Sequence, residues 1–360
     1  MSRYQLIVRQ QNGRTAYILK DHLRRAEAVL YPELGNNCLE FRTTPDGTTD
    51  DTPPSEIFVP TDDLEALIDS PFHAGQPILF PFPNRVREGK FTFEGQAYNM
   101  AGLLAKGWDR GAGQAIHGLV GDKAWEVEYA TADENGVSVR ATIATDAHSD
   151  IIEQYPFPCT LSVTYTLKEG ILEMLTEVHN RGEKTLPMGF GIHPWFPVRI
   201  RPGVRLPAGL AGVSTEERGT TEVKIPADSI WVLEKLMPTG ETRSVIEDDG
   251  FFDLREFRAL EQGFYDNVFT HTRRREDGWS EAGVRDPESG LEIYIAADAE
   301  YREWVLYAPV ERRVVAIEPY TCVTDAVNLQ AQGIDAGLIA LPAGEIWSGT
   351  ICFGLRPSVA

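Results

Sequence analysis

The sequence predicts an all-β protein in which a single domain covers residues 1–360. Most of the chain divides into short runs of β-prone residues separated by Gly, Pro, Asn and Asp, as in consecutive strands and turns. The clearest pair, Leu161–Leu167 and Leu172–Val178, alternates apolar and polar residues around Lys168-Glu169-Gly170. A period of two indicates an antiparallel hairpin with one buried face. Neither an internal repeat nor a clear boundary indicates a second domain.

The N-terminal part of the chain is typical of a meander with one short helix. Its three predicted strands, separated by turns, are Tyr4–Arg9, Thr15–Leu19 and Ala26–Tyr31. The segment Thr44–Pro54 is rich in Asp, Thr, Pro and Gly, which predicts an exposed loop. Thr61–Ile68 is the best helix candidate, because Thr61 can cap it and two aspartates complement the dipole of its first turn. We expect one or two short helices in all.

An apolar run that contains three prolines precedes the next hairpins. Because proline cannot donate to a ladder, Pro77–Pro83 is expected to end in an irregular edge that presents Asn84 and Arg85. A plain surface turn is the alternative for these two residues. The further predicted hairpins and strands are Phe91–Met100, Trp125–Thr131 with Val137–Ala144, Trp231–Leu236, Gly290–Ala296 and the tail Leu341–Leu355.

Composition limits the classes of partner. The formal charge of −20 and the pI near 4.8 disfavour nucleic acid and anionic membranes. The chain shows no export-signal pattern and no run long enough to span a bilayer, so a cytoplasmic location is expected. The four cysteines, Cys38, Cys159, Cys322 and Cys352, are far apart and have no Cys-x-x-Cys spacing. Free, mostly buried thiols are therefore predicted.

Two histidines stand at special backbone positions. His193 precedes Pro194, which restricts it to an extended conformation, and Trp195 supplies an apolar surface beside it. His117 precedes Gly118, where backbone or ligand can approach closely. Each alone could be a satisfied core histidine. Together with the acidic residues considered next, they favour a functional site.

Two carboxylates complete the candidate set. The run Val314–Ile317 is continuously apolar and predicts a strand buried on both faces, which ends at Glu318 before Pro319. A carboxylate at the end of such a strand is costly unless it is paired or used. Asp266 lies between aromatic residues at the start of a predicted strand, although a turn aspartate that satisfies its own backbone is the alternative.

These residue types suit proton transfer on a polyol held against apolar walls. The sequence has no Gly-x-Ser-x-Gly nucleophile, no phosphate-binding glycine loop and no His-Glu-x-x-His helix. Zinc bound by His117, His193 and Glu318 is an alternative, but no short-range ligand pair anchors it. We predict a site with neither metal nor cofactor.

The motifs from Pro77–Arg85 to Glu318–Thr321 and the region of Leu329 resemble the aldose 1-epimerase (galactose mutarotase) family over nearly the full chain. The resemblance implies a large antiparallel β-sandwich, the galactose mutarotase-like supersandwich, that interconverts the α and β anomers of free hexoses. It also implies a small-molecule aldose as the partner of a monomer or homodimer.

The resemblance also implies roles for single residues. Glu318 is the expected general base and His193 the general acid, while His117 assists at the ring oxygen. Asn84, Arg85 and Asp266 are expected to hold sugar hydroxyls beside Trp195. In the implied mechanism Glu318 is ionised and His193 charged, which their attraction favours if they lie across the sugar.

Some features depart from the family pattern. Leu119 and Val323 stand where an aromatic residue and a proline are frequent, which affects the expected sugar preference. The segments Pro202–Thr221 and Thr272–Gly278 match no motif, and Arg273–Arg275 within the latter is predicted to be solvated surface.

Three other functions remain open. A hexose-phosphate 1-epimerase would need converging cations, for which Arg87 and Arg273–Arg275 are the candidates. A non-catalytic sugar-binding or regulatory protein on the same fold is the second, since fold does not fix function. A zinc hydrolase is the third.

Overall fold

The computed structural model describes residues 2–46, 52–61, 63–206, 219–260, 263–310 and 312–358. Within these ranges the chain is almost entirely β-structure, as predicted. Four short α-helices accompany the strands, where one or two were expected. The helices are α1 (Ala66–Asp69), α2 (Ala101–Ala105), α3 (Ser149–Ile152) and α4 (Ala326–Ala331). None of these helices has the length and apolarity of a membrane-spanning segment.

The strands are short, and most are joined by tight turns. In chain order they are β1 (Tyr4–Gln11), β2 (Arg14–Asp21), β3 (Ala26–Tyr31), β4 (Asn37–Thr43), β5 (Ser55–Glu56), β6 (Ile78–Leu79), β7 (Arg85–Val86), β8 (Lys90–Phe93), β9 (Gln96–Asn99), β10 (Ala115–Ile116), β11 (Glu126–Ala132), β12 (Val137–Ala144), β13 (Cys159–Lys168), β14 (Ile171–Asn180), β15 (Leu186–Met188), β16 (Gly191–Ile192), β17 (Trp195–Pro197), β18 (Glu222–Lys224), β19 (Ala227–Glu234), β20 (Met237–Ser244), β21 (Arg258–Ala259), β22 (Tyr265–Thr272), β23 (Ser280–Asp286), β24 (Leu291–Ala297), β25 (Glu303–Ala308), β26 (Val314–Tyr320), β27 (Ile339–Leu341) and β28 (Ile346–Pro357).

Three large antiparallel sheets form the molecule. A five-stranded sheet has the order β1-β2-β3-β4-β5, and a nine-stranded sheet has the order β11-β12-β13-β14-β28-β24-β23-β18-β21. The eight-stranded sheet has the order β20-β19-β22-β25-β26-β16-β6, with β17 also paired to β26. Phe353 on β28 packs against Phe196 on β17, with ring centroids 6.4 Å apart, so the nine- and eight-stranded sheets share a core. This is the antiparallel sandwich that the sequence predicts.

The predicted hairpins are confirmed with their registers. Leu167 pairs with Leu172 across the turn at Glu169 and Gly170, and both turn residues have positive φ. Along β14 every second residue is buried, as the period of two requires. The strand β26 is buried along its whole length, which confirms the interpretation of its apolar run.

The helix expected at Thr61–Ile68 is shorter than predicted. Only α1 is helical, and the side chains of Thr61 and Asp63 accept nearby backbone N–H groups. Thr61 Oγ1 accepts the N–H of Asp63 at 3.2 Å, and Asp63 Oδ1 accepts the N–H of Ala66 at 3.0 Å. The side chain that satisfies an N–H of the first turn is therefore that of Asp63, and the capping role predicted for Thr61 is wrong. Asp62 lies outside the described residues.

Other expectations concern loops and cysteines. Part of the loop Thr44–Pro54, residues 47–51, lies outside the described residues, as do residues 207–218 of the segment that matches no motif. All four cysteines are free, three of them buried and Cys352 half-buried.

The arginine run is only partly solvated. Arg273 and Arg275 are exposed, whereas Arg274 is half-buried and donates to the carbonyls of Asp298 and Tyr301. The prediction of a fully solvated run is therefore wrong for Arg274, because its guanidinium satisfies loop carbonyls that have no ladder partner.

Candidate active site

One pocket collects the predicted site residues. It has a volume of about 390 Å³, and all seven predicted residues line it. They are Asn84, Arg85, His117, His193, Trp195, Asp266 and Glu318. The volume lies within the range of small-molecule sites.

The register of the eight-stranded sheet places His193 beside Glu318. Gly191 on β16 pairs with Tyr320 on β26, and Trp195 on β17 pairs with Ala316 of the same strand. His193 is midway between these two paired positions, and it therefore stands opposite Glu318 on the same face of the sheet. His193 Nε2 lies 3.4 Å from Glu318 Oε1, and both side chains are buried.

His117 lies next to His193 and is held by a main-chain hydrogen bond. Its φ is +62°, and its N–H donates to the carbonyl of Asn84 at 2.8 Å. Its ring is nearly perpendicular to that of His193, with centroids 5.6 Å apart. The next residue, Gly118, has φ +77°, and a Cβ there would lie 2.0 Å from the carbonyl oxygen of Phe80.

We expect Gly118→Ala to destabilise the protein strongly. Left-handed φ costs an alanine roughly 1–2 kcal/mol, and the clash with the backbone of Phe80 adds to it. The matched control is Gly13→Ala, because Gly13 has φ +76° and open space around its Cβ position. Denaturation followed by circular dichroism should show the larger loss for Gly118→Ala. Equal losses would mean that the close approach to Phe80 adds nothing.

Asn84, Arg85 and Asp266 bring polar groups to the pocket from two chain segments. Asn84 has φ +54° and precedes β7, and its Oδ1 accepts from Arg85 Nη1 at 3.1 Å. Asp266 comes from β22 and is half-buried. The arrangement offers guanidinium, amide and carboxylate groups to the hydroxyls of one ligand.

Aromatic rings form the apolar part of the wall. The rings of Trp195 and His193 have centroids 4.5 Å apart, and Trp195 Nε1 donates to the carbonyl of Phe72 at 2.8 Å. Tyr307 stands nearly perpendicular to both rings, at 6.2 Å from His193 and 5.9 Å from Trp195. Trp195 therefore fixes the orientation of the imidazole as well as lining the pocket.

Comparison with known sequences identifies the family of the chain. A sequence model of aldose 1-epimerases matches residues 48–354. The chain belongs to the aldose 1-epimerase family. The resemblance inferred from the motifs is thus confirmed.

Individual relatives of this aldose 1-epimerase family member are distant. The uncharacterized protein YihR of Escherichia coli K12 is 23% identical over 275 residues, which are 76% of each chain. A galactose mutarotase-like protein from Clostridium acetobutylicum has a similar structure, with a TM-score of 0.81 at 19% identity over 98% of this chain and 99% of that one. Galactose 1-epimerase from Lactobacillus acidophilus NCFM has a TM-score of 0.70 at 14% identity over the whole of both chains. These structural likenesses show the shared fold.

Burial is the largest influence on the pKa values of His193 and Glu318. It raises the pKa of the Glu318 carboxyl well above 4.5, while the hydrogen bond from Tyr320 and the charge of Arg85 oppose the rise. Burial also lowers the pKa of His193 to about 3. Burial thus opposes the ionised form of the Glu318 carboxyl and the charged form of the His193 imidazole alike.

The neighbouring groups respond to the same environment. Burial, and then the charges of His193 and Arg85, lower the pKa of His117 well below 6.5. Burial raises the pKa of Asp266, against the opposing charge of Arg85. Arg85 is thus the cation that holds the acidic groups of the pocket nearer to their ionised forms.

Several lining residues were not found from the sequence. Phe72, His73 and the segment Lys106–Arg110 come from irregular chain, which carries no periodic signal. Tyr320 had a usable signal, because residues i and i+2 of a strand share a face and Glu318 precedes it by two. Among the described residues no group of three or more His, Cys, Asp or Glu side chains could hold a metal ion, so His117, His193 and Glu318 do not form such a group.

Proposed function

We propose that this protein catalyses the interconversion of the α and β anomers of free aldohexoses such as galactose and glucose. One observation carries the proposal, namely that His193 Nε2 and Glu318 Oε1 lie 3.4 Å apart in the wall of the pocket. A buried acid–base pair inside a polar and aromatic pocket suits proton transfer on a sugar. Membership of the aldose 1-epimerase family supports this assignment.

His193 and Glu318 lie side by side, within 3.4 Å of each other. Anomer exchange needs proton transfer at two oxygens, O1 and O5, that are both bonded to C1. Because these oxygens are neighbours, two catalytic atoms 3.4 Å apart can each reach one of them. Glu318 Oε1 takes the proton of the O1 hydroxyl while His193 Nε2 gives its proton to O5, and the C1–O5 bond breaks.

Ring closure restores the starting state. The open-chain aldehyde rotates about C1–C2 and presents its other face to O5. Protonated Glu318 then returns its proton to O1 while neutral His193 takes the proton of the O5 hydroxyl, and the C1–O5 bond forms again. One proton shared by the two side chains therefore suffices for the cycle. Burial favours a pair that carries one proton, because it disfavours both charged His193 and ionised Glu318.

The other lining residues provide binding and orientation. Arg85, Asn84 and Asp266 would hold the hydroxyls remote from C1, and His117, which also lines the pocket, would assist at the ring oxygen. Trp195 and Tyr307 offer flat surfaces to the apolar face of a pyranose.

The charge of the lining does not favour a phosphorylated sugar. Neither Arg87 nor Arg273–Arg275 lines the pocket. Three cationic side chains line it, against four acidic ones. Of these cations Lys106 is paired with Asp122, and Arg110 Nη2 contacts His73 Nε2 at 3.0 Å. A free aldose is therefore the better match.

Polarimetry of freshly dissolved α-D-galactose and α-D-glucose tests the proposal. We expect the protein to accelerate the approach to anomeric equilibrium, and pretreatment with a chelator to leave the rate unchanged. Glucose 6-phosphate serves as the comparison substrate. Acceleration with the phosphorylated sugar alone would favour the hexose-phosphate epimerase, and no acceleration with any sugar would favour the sugar-binding protein.

A further inference from the structure

Tyr320 is a buried phenol that contacts the proposed base directly. Its hydroxyl donates to Glu318 Oε2 at 2.5 Å, and the residue has no solvent exposure. The other oxygen of the same carboxylate, Oε1, faces His193 Nε2. The two oxygens of Glu318 are therefore distinguished, because one is held by Tyr320 and the other is left to face the imidazole.

The sheet is built so that the Tyr320 ring can reach this position. Tyr320 stands opposite Gly191 in the ladder between β16 and β26. A Cβ on residue 191 would lie 2.4 Å from Tyr320 Cδ1, so the ring occupies the space above the glycine. The ring also packs into an apolar cluster with Leu79, Val268 and Val305. Packing on these sides limits the tyrosine to the rotamer that reaches the carboxylate.

The hydrogen bond acts on the charge state of Glu318. A donor to a carboxylate stabilises the ionised form, and here it opposes the effect of burial on the carboxyl pKa. The charge of Arg85 acts in the same direction, whereas the charge of Asp266 raises the pKa. Tyr320 is the group among these with a direct hydrogen bond to the carboxylate.

We infer that Tyr320 is a positioning residue that selects Glu318 Oε1 as the proton-accepting atom and keeps this carboxylate basic enough to act. The inference rests on the proposed function, since it assigns Glu318 the part of the base. Tyr320 itself does not exchange a proton with the sugar. Loss of its hydroxyl would shift the shared proton further onto Glu318 and reduce the fraction of the ionised pair that starts ring opening.

Tyr320→Phe tests this inference with the change of one atom. We expect kcat for mutarotation to fall about ten- to a hundred-fold, the range for a lost hydrogen bond to a charged group, while KM changes little. The alkaline limb of the pH profile should move to higher pH, because the carboxylate form of Glu318 is no longer stabilised. A merely structural role would leave that limb in place.

Tyr165→Phe is the matched control. Tyr165 is also a fully buried tyrosine, and its hydroxyl donates to Gln76 Oε1 at 2.8 Å outside the pocket. The Tyr165→Phe variant should lose stability but keep the wild-type kcat and pH profile. Gly191→Ala, which displaces the Tyr320 ring without removing its hydroxyl, is a second variant that should raise the pKa of Glu318.

A direct titration separates this inference from the proposed function. Carbon-13 NMR of protein labelled at the glutamate carboxyl, with the Glu318 signal assigned by its loss in Glu318→Gln, gives the carboxyl pKa without any activity. A higher pKa in Tyr320→Phe and in Gly191→Ala supports the inference even if wild-type protein fails to accelerate mutarotation, which would sink the proposed function alone. An unchanged pKa in both variants overturns the inference, whatever happens to kcat.

Discussion

Glu318→Gln is expected to lower kcat for mutarotation about a thousand-fold. The amide keeps the size of the side chain and can accept the hydroxyl of Tyr320, but it cannot take a proton from O1 of the sugar. General acid–base catalysis by one side chain contributes about a hundred- to ten-thousand-fold. The measurement is polarimetry with α-D-galactose at saturating concentration, after subtraction of the spontaneous rate.

A second buried glutamate provides the control for this variant. Glu303 lies on the adjacent strand β25 and accepts hydrogen bonds from Trp231 Nε1 at 3.1 Å and Thr270 Oγ1 at 3.2 Å. It does not line the pocket, and burial raises its pKa to about 8, so it is mainly protonated at pH 7. Glu303→Gln should therefore keep the wild-type rate. Equal rates for wild type and Glu318→Gln would remove Glu318 from the mechanism.

His193→Gln is expected to lower kcat about a hundred- to a thousand-fold. The variant retains a hydrogen-bond donor near O5 but cannot exchange a proton with it. Its effect should appear mainly in kcat, because His193 acts on the atom that gains charge during ring opening. His179→Gln is the matched control. His179 is half-buried on β14 and does not line the pocket, so this variant should behave like wild type.

The pH dependence of the wild-type rate tests the lowered pKa of His193. Since burial lowers the pKa of His193 to about 3, its neutral form persists in the free protein down to that pH. A second proton enters the pair only when the pH falls through about 3, and the shared proton leaves when the pH rises above the raised pKa of Glu318. We therefore expect kcat/KM to show no acidic limb near 6.5. A limb at that pH would mean that His193 titrates like an exposed imidazole.

The hairpins and the acid–base residues were accessible to sequence analysis for local reasons. A period of two together with a Glu-Gly turn specifies β13 and β14 within one stretch of chain. His193 and Glu318 each precede a proline after an apolar run, which marks a polar group with a fixed backbone. These signals do not depend on which strands become neighbours.

The side-by-side placement of the pair depends on contacts remote in sequence. It requires the ladder that joins Gly191 to Tyr320 and Trp195 to Ala316, and no local pattern contains that register. The same is true of Trp108, whose indole donates to the carbonyl of Asp69 and packs at 87° against Phe72. The effect of burial on the pKa values of His193 and Glu318 is remote in the same way, since burial depends on the assembled pocket.

The pocket is made of two structurally separate contributions. Glu318 and the strands that flank His193 belong to the eight-stranded sheet, whereas Lys106–Arg110 and the chain around Phe72 line the pocket from irregular segments. Exchanging residues in those segments therefore leaves the ladder that aligns His193 with Glu318 intact. Under the proposed function, substitutions in those segments should alter sugar preference while the alignment of His193 with Glu318 is kept.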